Sequence, residues 1–348
     1  MISGNKEKHI AKRDIINFVL SMILTAVFLY IAFHDVDLGE VLDKASRASL
    51  FWMVIFVVVL LSSHYLRAVR WKVIISSVKP DAAMKNLFGS LMVGYGVNCV
   101  IPRLGEITRA VLLGRWEKLS RSSMFGTVIV ERVIDIIFLG LSVIVAALIY
   151  SGNLYLSFPW LKTTLYITSA LIAFFIVLIL LIVRLKEKFY GAIVNLLGKL
   201  SEKLAHKAGY IFRMLAEGFA SLKGTKNYIL TFLLSVLIML FYALNAYVGM
   251  LMIGLPDVTF SKAWIIMSIS AIGVVIPTPG GTGSYHALAK SALVLLFGYG
   301  EVISLAYAFL THIISYFLFI ILSLLIFFVL NRQHDNLIKV VETEMEDL

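Results

Sequence analysis

Residues 100–105 read VIPRLG, and residues 275–280 read VIPTPG. Proline removes a backbone donor and clashes with the preceding helical turn, while glycine permits turns that other residues cannot make. Each stretch therefore predicts a break in the apolar helix before it. Because neither apolar segment is long enough to span a bilayer comfortably, the breaks predict two re-entrant hairpins, one at 87–113 and one at 264–297.

The remainder of the chain is dominated by long apolar runs. Of 348 residues, 60% are hydrophobic and only 15% are charged, which is too little charge for the wetted surface of a soluble domain of this length. About 20 apolar residues cross a bilayer. The runs predict an all-α polytopic membrane protein with about six full spans, at residues 15–33, 50–71, 124–150, 164–183, 228–253 and 302–330.

The distribution of lysine and arginine predicts the orientation, because basic loops stay in the cytoplasm. Four basic residues lie in 1–14 and nine in 184–227, whereas 151–163 has one. The N- and C-termini are therefore predicted to be cytoplasmic, in the cytoplasmic (inner) membrane. Residues 15–33 are preceded by a basic segment and lack a small-residue cleavage site, so they are predicted to be a retained helix and not a signal peptide.

Hairpin 87–113 is flanked by basic segments and hairpin 264–297 by segments poor in basic residues, so they should enter from opposite faces. Each lies between two spans, which predicts an inverted-topology repeat. The predicted divisions are a first membrane half (1–183), a cytoplasmic basic amphipathic linker (184–227), a second membrane half (228–330) and a cytoplasmic tail (331–348). The alternative is two ordinary short helices broken by proline, with chance similarity.

The breaks themselves are candidate binding positions. A helix that restarts after Pro102 or after Pro277 and Pro279 presents unpaired amides and a positive dipole end to an anion. Arginine suits phosphate better than lysine does. The predicted hairpin breakers are Pro102, Gly105, Pro277 and Pro279. The predicted substrate-binding residues in the hairpins are Arg103, Glu106, Arg109, Thr278, Gly280, Gly281, Gly283, Ser284 and His286. The alternative is that the glycines only allow close packing and the arginines mark the interface.

Charges also lie inside the predicted span 124–150. Glu131, Arg132 and Asp135 are expensive at that depth and normally face the bundle interior. Two carboxylates beside one arginine could leave one of them titratable, so these residues and His312, at the corresponding position of the second half, are predicted as a gate or proton relay. A structural salt-bridge cluster is an equal alternative.

Arg67 and Arg70 end the second predicted span next to Trp71. The first interpretation of this pattern is interface anchoring, with long side chains reaching toward the head groups. Because the two arginines are spaced i, i+3 and lie close to the first hairpin in sequence, they are also candidates for binding a lipid head group.

Several function classes find no support. Cys99 is the only cysteine, so no disulfide framework or cysteine-based metal site is predicted. The chain contains no G-x-S-x-G, Walker or Rossmann motif. We therefore expect no enzyme activity, no cofactor and no metal. The net charge of +10 is distributed as expected for lipid head groups and not for nucleic acid.

Four motifs in order resemble the lysylphosphatidylglycerol synthase transmembrane-region family, whose members are often called flippase-like proteins. The motifs are Arg67-x-x-Arg70-Trp71, Asn98-x-x-x-Pro102-Arg103-x-Gly105-Glu106-x-x-Arg109, Glu131-Arg132-x-x-Asp135 and Pro277-Thr278-Pro279-Gly280-Gly281-x-Gly283.

This resemblance covers nearly the whole chain and implies lipid handling in the membrane, with Asn98 added to the candidate binding residues. The soluble synthase domain of the full-length enzymes is expected to be absent, because about eighteen residues follow the last predicted span. Histidine at position 286 departs from the glutamate that the family pattern implies, which puts a fixed acidic role there in doubt.

The predicted function is that of a lipid flippase or transporter that moves an anionic or lipid-linked head group. Its partners would be membrane lipids, with a homo-oligomer or a lipid-modifying enzyme as further possibilities. The alternatives are a secondary transporter of a small soluble anion, a non-catalytic membrane partner of a lipid-modifying enzyme, and, least favoured, a lipid-linked transferase such as phosphatidylglycerol lysyltransferase.

Overall fold

A computed structural model of the chain describes residues 3–152, isolated positions between 156 and 209, and residues 224–333. The described helices are numbered here in chain order. Before the gap they are α1 Ser3–Phe33, α2 Leu38–Ser46, α3 Leu50–Ile75, α4 Met84–Val100, α5 Leu104–Trp116 and α6 Arg121–Ile149. After it they are α7 Thr225–Met252, α8 Phe260–Val275, α9 Ser284–Phe297 and α10 Glu301–Gln333.

The fold is that of an α-helical polytopic membrane protein, as predicted. Five helices of the described residues are long and apolar enough to cross a bilayer: Ile16–Phe33, Leu50–Ile75, Ser123–Ile149, Thr225–Met252 and Glu301–Val329. The predicted span 164–183, the linker 184–227 and the tail 331–348 lie largely outside the described residues. Helix α2 was not predicted; Asp37 caps it by accepting hydrogen bonds from the amides of Gly39 and Glu40.

The first predicted hairpin consists of α4 and α5, which pack against each other and are separated by residues 101–103. Arg103 precedes α5 with a φ of +67°, a left-handed conformation that reverses the chain after Pro102. The helices approach closely where glycines replace larger residues: a Cβ atom on Gly105 would overlap the carbonyl oxygen of Gly94. The Asn98 side chain accepts a hydrogen bond from the Gly105 amide.

The second predicted hairpin consists of α8 and α9, which are joined by a short 3-10 turn at Pro279–Gly281. Gly280 and Gly283 have φ values of +57° and +86°, which side-chain-bearing residues rarely adopt. Close approach recurs here, because a Cβ atom on Gly273 would lie 2.6 Å from the carbonyl oxygen of Ser284. Both hairpins therefore depend on a glycine on the first helix facing the backbone of the second.

The long helices α3 and α7 pack antiparallel over their whole length. The amide of Ser49, before α3, donates to the carbonyl of Met252, at the end of α7. At the other end the side chain of Asn227 donates to the hydroxyl of Ser76. Since α4 follows the end of α3 and α8 follows the end of α7, the two hairpins begin at opposite ends of this helix pair.

Each hairpin also packs against the long helix that follows the other hairpin, α4 against α10 and α8 against α6. A serine of the long helix lies at each contact. Ser323 of α10 lies where a Cβ atom on Gly96 of α4 would be, and the carbonyl of Ser142 on α6 accepts hydrogen bonds from Trp264 and Ser268 of α8. The reciprocal pairing is the arrangement that the predicted inverted repeat requires; the repeat itself stays a prediction.

The hairpin ends meet in the interior. The hydroxyl of Tyr316 on α10 donates to the carbonyl of Cys99 at 2.7 Å. A Cβ atom built on Gly280 would lie 3.4 Å from the Cα atom of Cys99. The turn of the second hairpin therefore touches the last turn of the first helix of the other hairpin.

The glycine contact in the first hairpin generates a stability prediction. Gly105→Ala should lower the thermal unfolding midpoint in detergent, because the added methyl group would overlap the Gly94 carbonyl and the Asn98 side chain. Forcing a methyl group into a packed contact costs about 1–3 kcal/mol.

Gly300→Ala is the matched control, since nothing lies within 4 Å of its Cβ position. An equal melting midpoint for the two variants would contradict the close α4–α5 packing.

Candidate functional site

Charged side chains from α3, α5 and α6 meet in the interior and form what is called here the buried ion-pair cluster. It contains four arginines and three carboxylates and therefore carries one formal positive charge. Charges at this depth are tolerated when they pair with one another. The members are Arg67 and Arg70 on α3, Glu106 and Arg109 on α5, and Glu131, Arg132 and Asp135 on α6.

Glu131 is the centre of the cluster and is fully buried. Its Oε1 atom accepts hydrogen bonds from Arg67 at 2.6 Å and Arg70 at 3.2 Å, and its Oε2 atom accepts one from Arg109 at 2.6 Å. One carboxylate thereby joins a long helix and a hairpin helix to α6. These are charge-assisted hydrogen bonds, the stronger class in proteins.

Asp135 lies one turn further along α6 on the same face. It accepts hydrogen bonds from Arg67 at 2.7 Å and from Arg70 at 2.5 Å. Helix α7 adds one acceptor for each arginine, because Arg67 donates to the hydroxyl of Tyr242 and Arg70 donates to that of Ser235. The cluster therefore connects helices from both predicted halves.

The second ion pair of the hairpin differs from the prediction. The sequence spacing predicts a pair of Glu106 with Arg103 or Arg109, which lie three residues away on either side. In the structure Arg132 donates to Glu106 at 2.6 Å, with Asn98 as a second donor at 3.2 Å. The reason is that Arg109 faces Glu131, while Arg103 precedes the helix and is exposed at the break.

The interface-anchor interpretation of Arg67 and Arg70 is also wrong. Both side chains are buried, Arg70 completely, because α3 continues to Ile75 and carries them past the face of α6. The same arginines change the charge balance around Glu131 and Asp135. The sequence analysis counted one arginine, Arg132, beside two carboxylates. In the structure three other arginines donate to Glu131, so neither carboxylate of this cluster lacks a cationic partner.

Aromatic side chains pack against two arginines of the cluster. The Arg109 guanidinium lies 5.0 Å from the centre of the Trp71 ring, and that of Arg67 lies 5.7 Å from the Tyr95 ring. Trp71 is fully buried and donates its indole hydrogen to Thr127 at 3.0 Å. Cation–π contacts of this kind strengthen as water is excluded.

The polar residues of the second hairpin bond to the hairpin itself, whereas those of the first hairpin belong to the buried ion-pair cluster. Thr278 and Ser284 hydrogen-bond to each other at 3.0 Å, and Ser284 donates to the carbonyl of Gly273. Gly280 and Gly281 form the turn. The two hydroxyls therefore stabilise the hairpin, and their proposed contact with a substrate stays a prediction.

His286 and His312 lie together beside this turn, with ring centres 4.6 Å apart. The Nδ1 atom of His286 accepts a hydrogen bond from the Gly283 amide, and the Nε2 atom of His312 bonds the carbonyl of Gly280. The pair stands 180 residues after Glu106 and Arg132, so a contact between two histidines occupies the sequence positions that correspond to an ion pair in the first hairpin.

Arg103 lies apart from the cluster. It makes no hydrogen bond or ion pair with any residue that the structure describes. Its exposed neighbours are apolar, with Val100 60%, Ile101 43% and Leu104 36% exposed. The structure thus separates the predicted arginines into buried ones, which already have carboxylate partners, and an exposed one.

Sequence reasoning missed three polar residues of this region: His64 on α3, Tyr95 on α4 and Tyr242 on α7. All three lie around Arg67. Each lies among apolar residues of its helix and outside the motifs, and an aromatic or histidine side chain in such a position is more often a core residue than a ligand contact. The position of His64, one turn before Arg67, was the only signal.

Comparison with known proteins gives one family and two relatives. The model of the family described as "Lysylphosphatidylglycerol synthase TM region" matches residues 16–323. The chain is 25% identical to a UPF0104 membrane protein of Methanocaldococcus jannaschii, over 93% of this chain and 98% of the relative. It is 26% identical to one of Methanothermobacter thermautotrophicus, over 72% of this chain and 77% of the relative. No solved structure matches.

The coordination of Glu131 generates a second stability prediction. Glu131→Gln should destabilise the protein by about 3–5 kcal/mol, because removing one member of a buried ion pair leaves the other charges uncompensated. Thermal unfolding in detergent measures the effect, and adding Arg109→Gln should recover part of it, since the two side chains interact directly.

Glu301→Gln is the matched control, because Glu301 pairs with Lys290 but its side chain is 54% exposed. Its effect should stay below about 1 kcal/mol. Equal effects of the two glutamate substitutions would mean that the cluster does not stabilise the fold.

Proposed function

The chain belongs to the Lysylphosphatidylglycerol synthase TM region family, and from this membership and the geometry above we propose that it moves an anionic or lipid-linked head group across the cytoplasmic membrane. That it is a multi-pass membrane protein follows from the family and the apolar helices.

The exposed arginine at the first helix break is the observation that carries the proposal. An arginine at membrane depth requires an anionic or dipolar partner, and the described protein supplies none to Arg103. Its guanidinium fork matches a phosphate geometrically. The apolar surface of Val100, Ile101 and Leu104 around it would repel a hydrated soluble anion and tolerate the acyl chains of a lipid.

An apolar groove supports a lipid substrate over a soluble one. It has a volume of about 380 Å³ and lies between α3, α4 and α7. Acyl chains bind to such surfaces by the hydrophobic effect, whereas a small anion gains nothing from them. The lining includes Leu61, Leu66, Phe88, Leu237 and Phe241.

The ion pair between Glu106 and Arg132 is the best candidate for a gate. Its side chains are 24% and 36% exposed, whereas Glu131 and its arginines are almost completely buried. Breaking the exposed pair would free only the first turn of α5 from α6, because Arg109, one turn further along α5, stays paired with the buried Glu131. In this account Glu131 and Asp135 hold the bundle, and His312 takes the corresponding gate position in the second half.

Alternating access would follow from an inverted repeat. The reciprocal packing of the hairpins and their start at opposite ends of the α3–α7 pair support it. With both termini in the cytoplasm, the first hairpin would open inward and the second outward. Neither the observed side chains nor the family membership requires an enzymatic step, so the protein is proposed to be a transporter and not an enzyme.

A proteoliposome assay tests the proposal. Vesicles of phosphatidylcholine with fluorescent phosphatidylglycerol should show protein-dependent movement of the label between leaflets, measured by dithionite quenching. Arg103→Ala should reduce the rate by roughly tenfold or more, since a charge-assisted hydrogen bond is worth about 1.5–3 kcal/mol.

Lys85→Ala is the matched control, because Lys85 is an exposed cation at the opposite end of α4. Its rate should equal that of the unmodified protein. Competition by soluble phosphate but not by unlabelled lipid would favour a soluble-anion transporter, and equal rates for the two variants would exclude Arg103 as the head-group ligand.

A further inference from the structure

His64 occupies the crossing point of four helices. It lies on α3, and its ring centre is 4.6 Å from that of Tyr95 on α4 and 6.3 Å from that of Tyr242 on α7. The Phe319 ring of α10 is 5.0 Å away. Only 5% of His64 is exposed. His64 belongs neither to the sequence motifs nor to the buried ion-pair cluster.

Within the described part of the chain, the hydrogen-bonding capacity of this histidine is unused. Neither ring nitrogen has a hydrogen-bond partner among the residues that the structure describes, and the same is true of the Tyr95 hydroxyl beside it. Buried polar groups are normally paired, and leaving one unpaired costs free energy. Two adjacent residues with this property indicate a group that binds there.

The surroundings define which chemistry would bind. The Arg67 guanidinium lies 5.7 Å from the Tyr95 ring centre, and its Nε atom is unpaired within the described ranges. The Nε and Nη2 atoms of Arg109 are unpaired in the same sense. A tyrosine hydroxyl, a neutral imidazole and guanidinium hydrogens can all donate, and the cluster has one surplus positive charge. An anion fits this environment.

We infer that His64 and Tyr95 form an internal anion-binding site beside Arg67, which receives the phosphate of a phospholipid head group during its passage between the two hairpins. The inference rests on the proposed function and adds an inner site to the exposed one at Arg103. The three helices that line the apolar groove are the same three that supply His64, Tyr95 and Tyr242. The groove lining contains none of these three residues, so an acyl chain bound there would contact the same helices at a separate position.

Removing the unpaired atoms separates a binding role from a structural one. His64→Phe and Tyr95→Phe keep the ring packing but delete the unpaired polar atoms. Each should raise the thermal unfolding midpoint in detergent by about 2 °C or more, and each should slow phosphatidylglycerol movement in proteoliposomes by roughly tenfold. A purely structural side chain would change both quantities in the same direction.

A binding measurement makes the test independent of transport. Phosphatidylglycerol added to the detergent-solubilised protein should raise the unfolding midpoint more than phosphatidylcholine does, and His64→Phe should lose that difference. His312→Phe is the control for substitution of a histidine, since it removes a ring nitrogen that is hydrogen-bonded to Gly280 and should lower the midpoint.

The outcomes are distinguishable. If the unmodified protein moves no labelled lipid and gains no stability from phosphatidylglycerol, the proposed function fails and the inner site fails with it. If the unmodified protein does both and His64→Phe keeps both, only the inner site is overturned. A lower midpoint for His64→Phe would also overturn it, because the ring nitrogens would then have a structural partner.

Discussion

The protein depends on one physical constraint: a carboxylate buried in an apolar helix bundle must be surrounded by cations. Glu131 meets it through Arg67, Arg70 and Arg109, which approach from two other helices. Because desolvated charges are stabilised only by precise partners, this requirement fixes the relative positions of α3, α5 and α6. Contacts from Ser235 and Tyr242 extend the constraint to α7.

The buried ion pairs around Glu131 form an anchor that holds the long helices together, and the rest of the architecture is built around it. Apart from the ion pair of Arg109 with Glu131, the hairpin helices pack through glycines and single hydroxyls. The less buried pair of Glu106 and Arg132 then joins the first hairpin to the anchor. The first hairpin helix therefore has one fully buried contact with α6 at Arg109 and one more accessible contact at Glu106, and the proposed transport would use the accessible one.

The sequence predicted the positions of the helix breaks better than the partners of the charged side chains. Pro102 and Pro277 act locally on the chain, so the helix breaks and their approximate bounds could be predicted without a structure. Arg67 and Arg70 could not be assigned, because a basic pair before Trp71 at the end of an apolar run looks the same whether it faces head groups or a carboxylate on another helix. His64 was missed for the same reason: its significance lies in neighbours that are distant in sequence.

A reversible cross-link between the hairpin ends tests the central claim most directly. Cys99 is the only cysteine, and a Cβ atom at position 280 would lie 3.4 Å from its Cα atom. Thiols at the two positions would therefore be neighbours once the Tyr316 ring, 2.8 Å from the same Cβ position, moves aside. Oxidation of Gly280→Cys in proteoliposomes should form the disulfide, measured by loss of alkylated thiol, and stop lipid movement until it is reduced. The same oxidation of Gly280→Cys with Cys99→Ser should have no effect. A complete cross-link with unchanged lipid movement would contradict a transport route between the two hairpins.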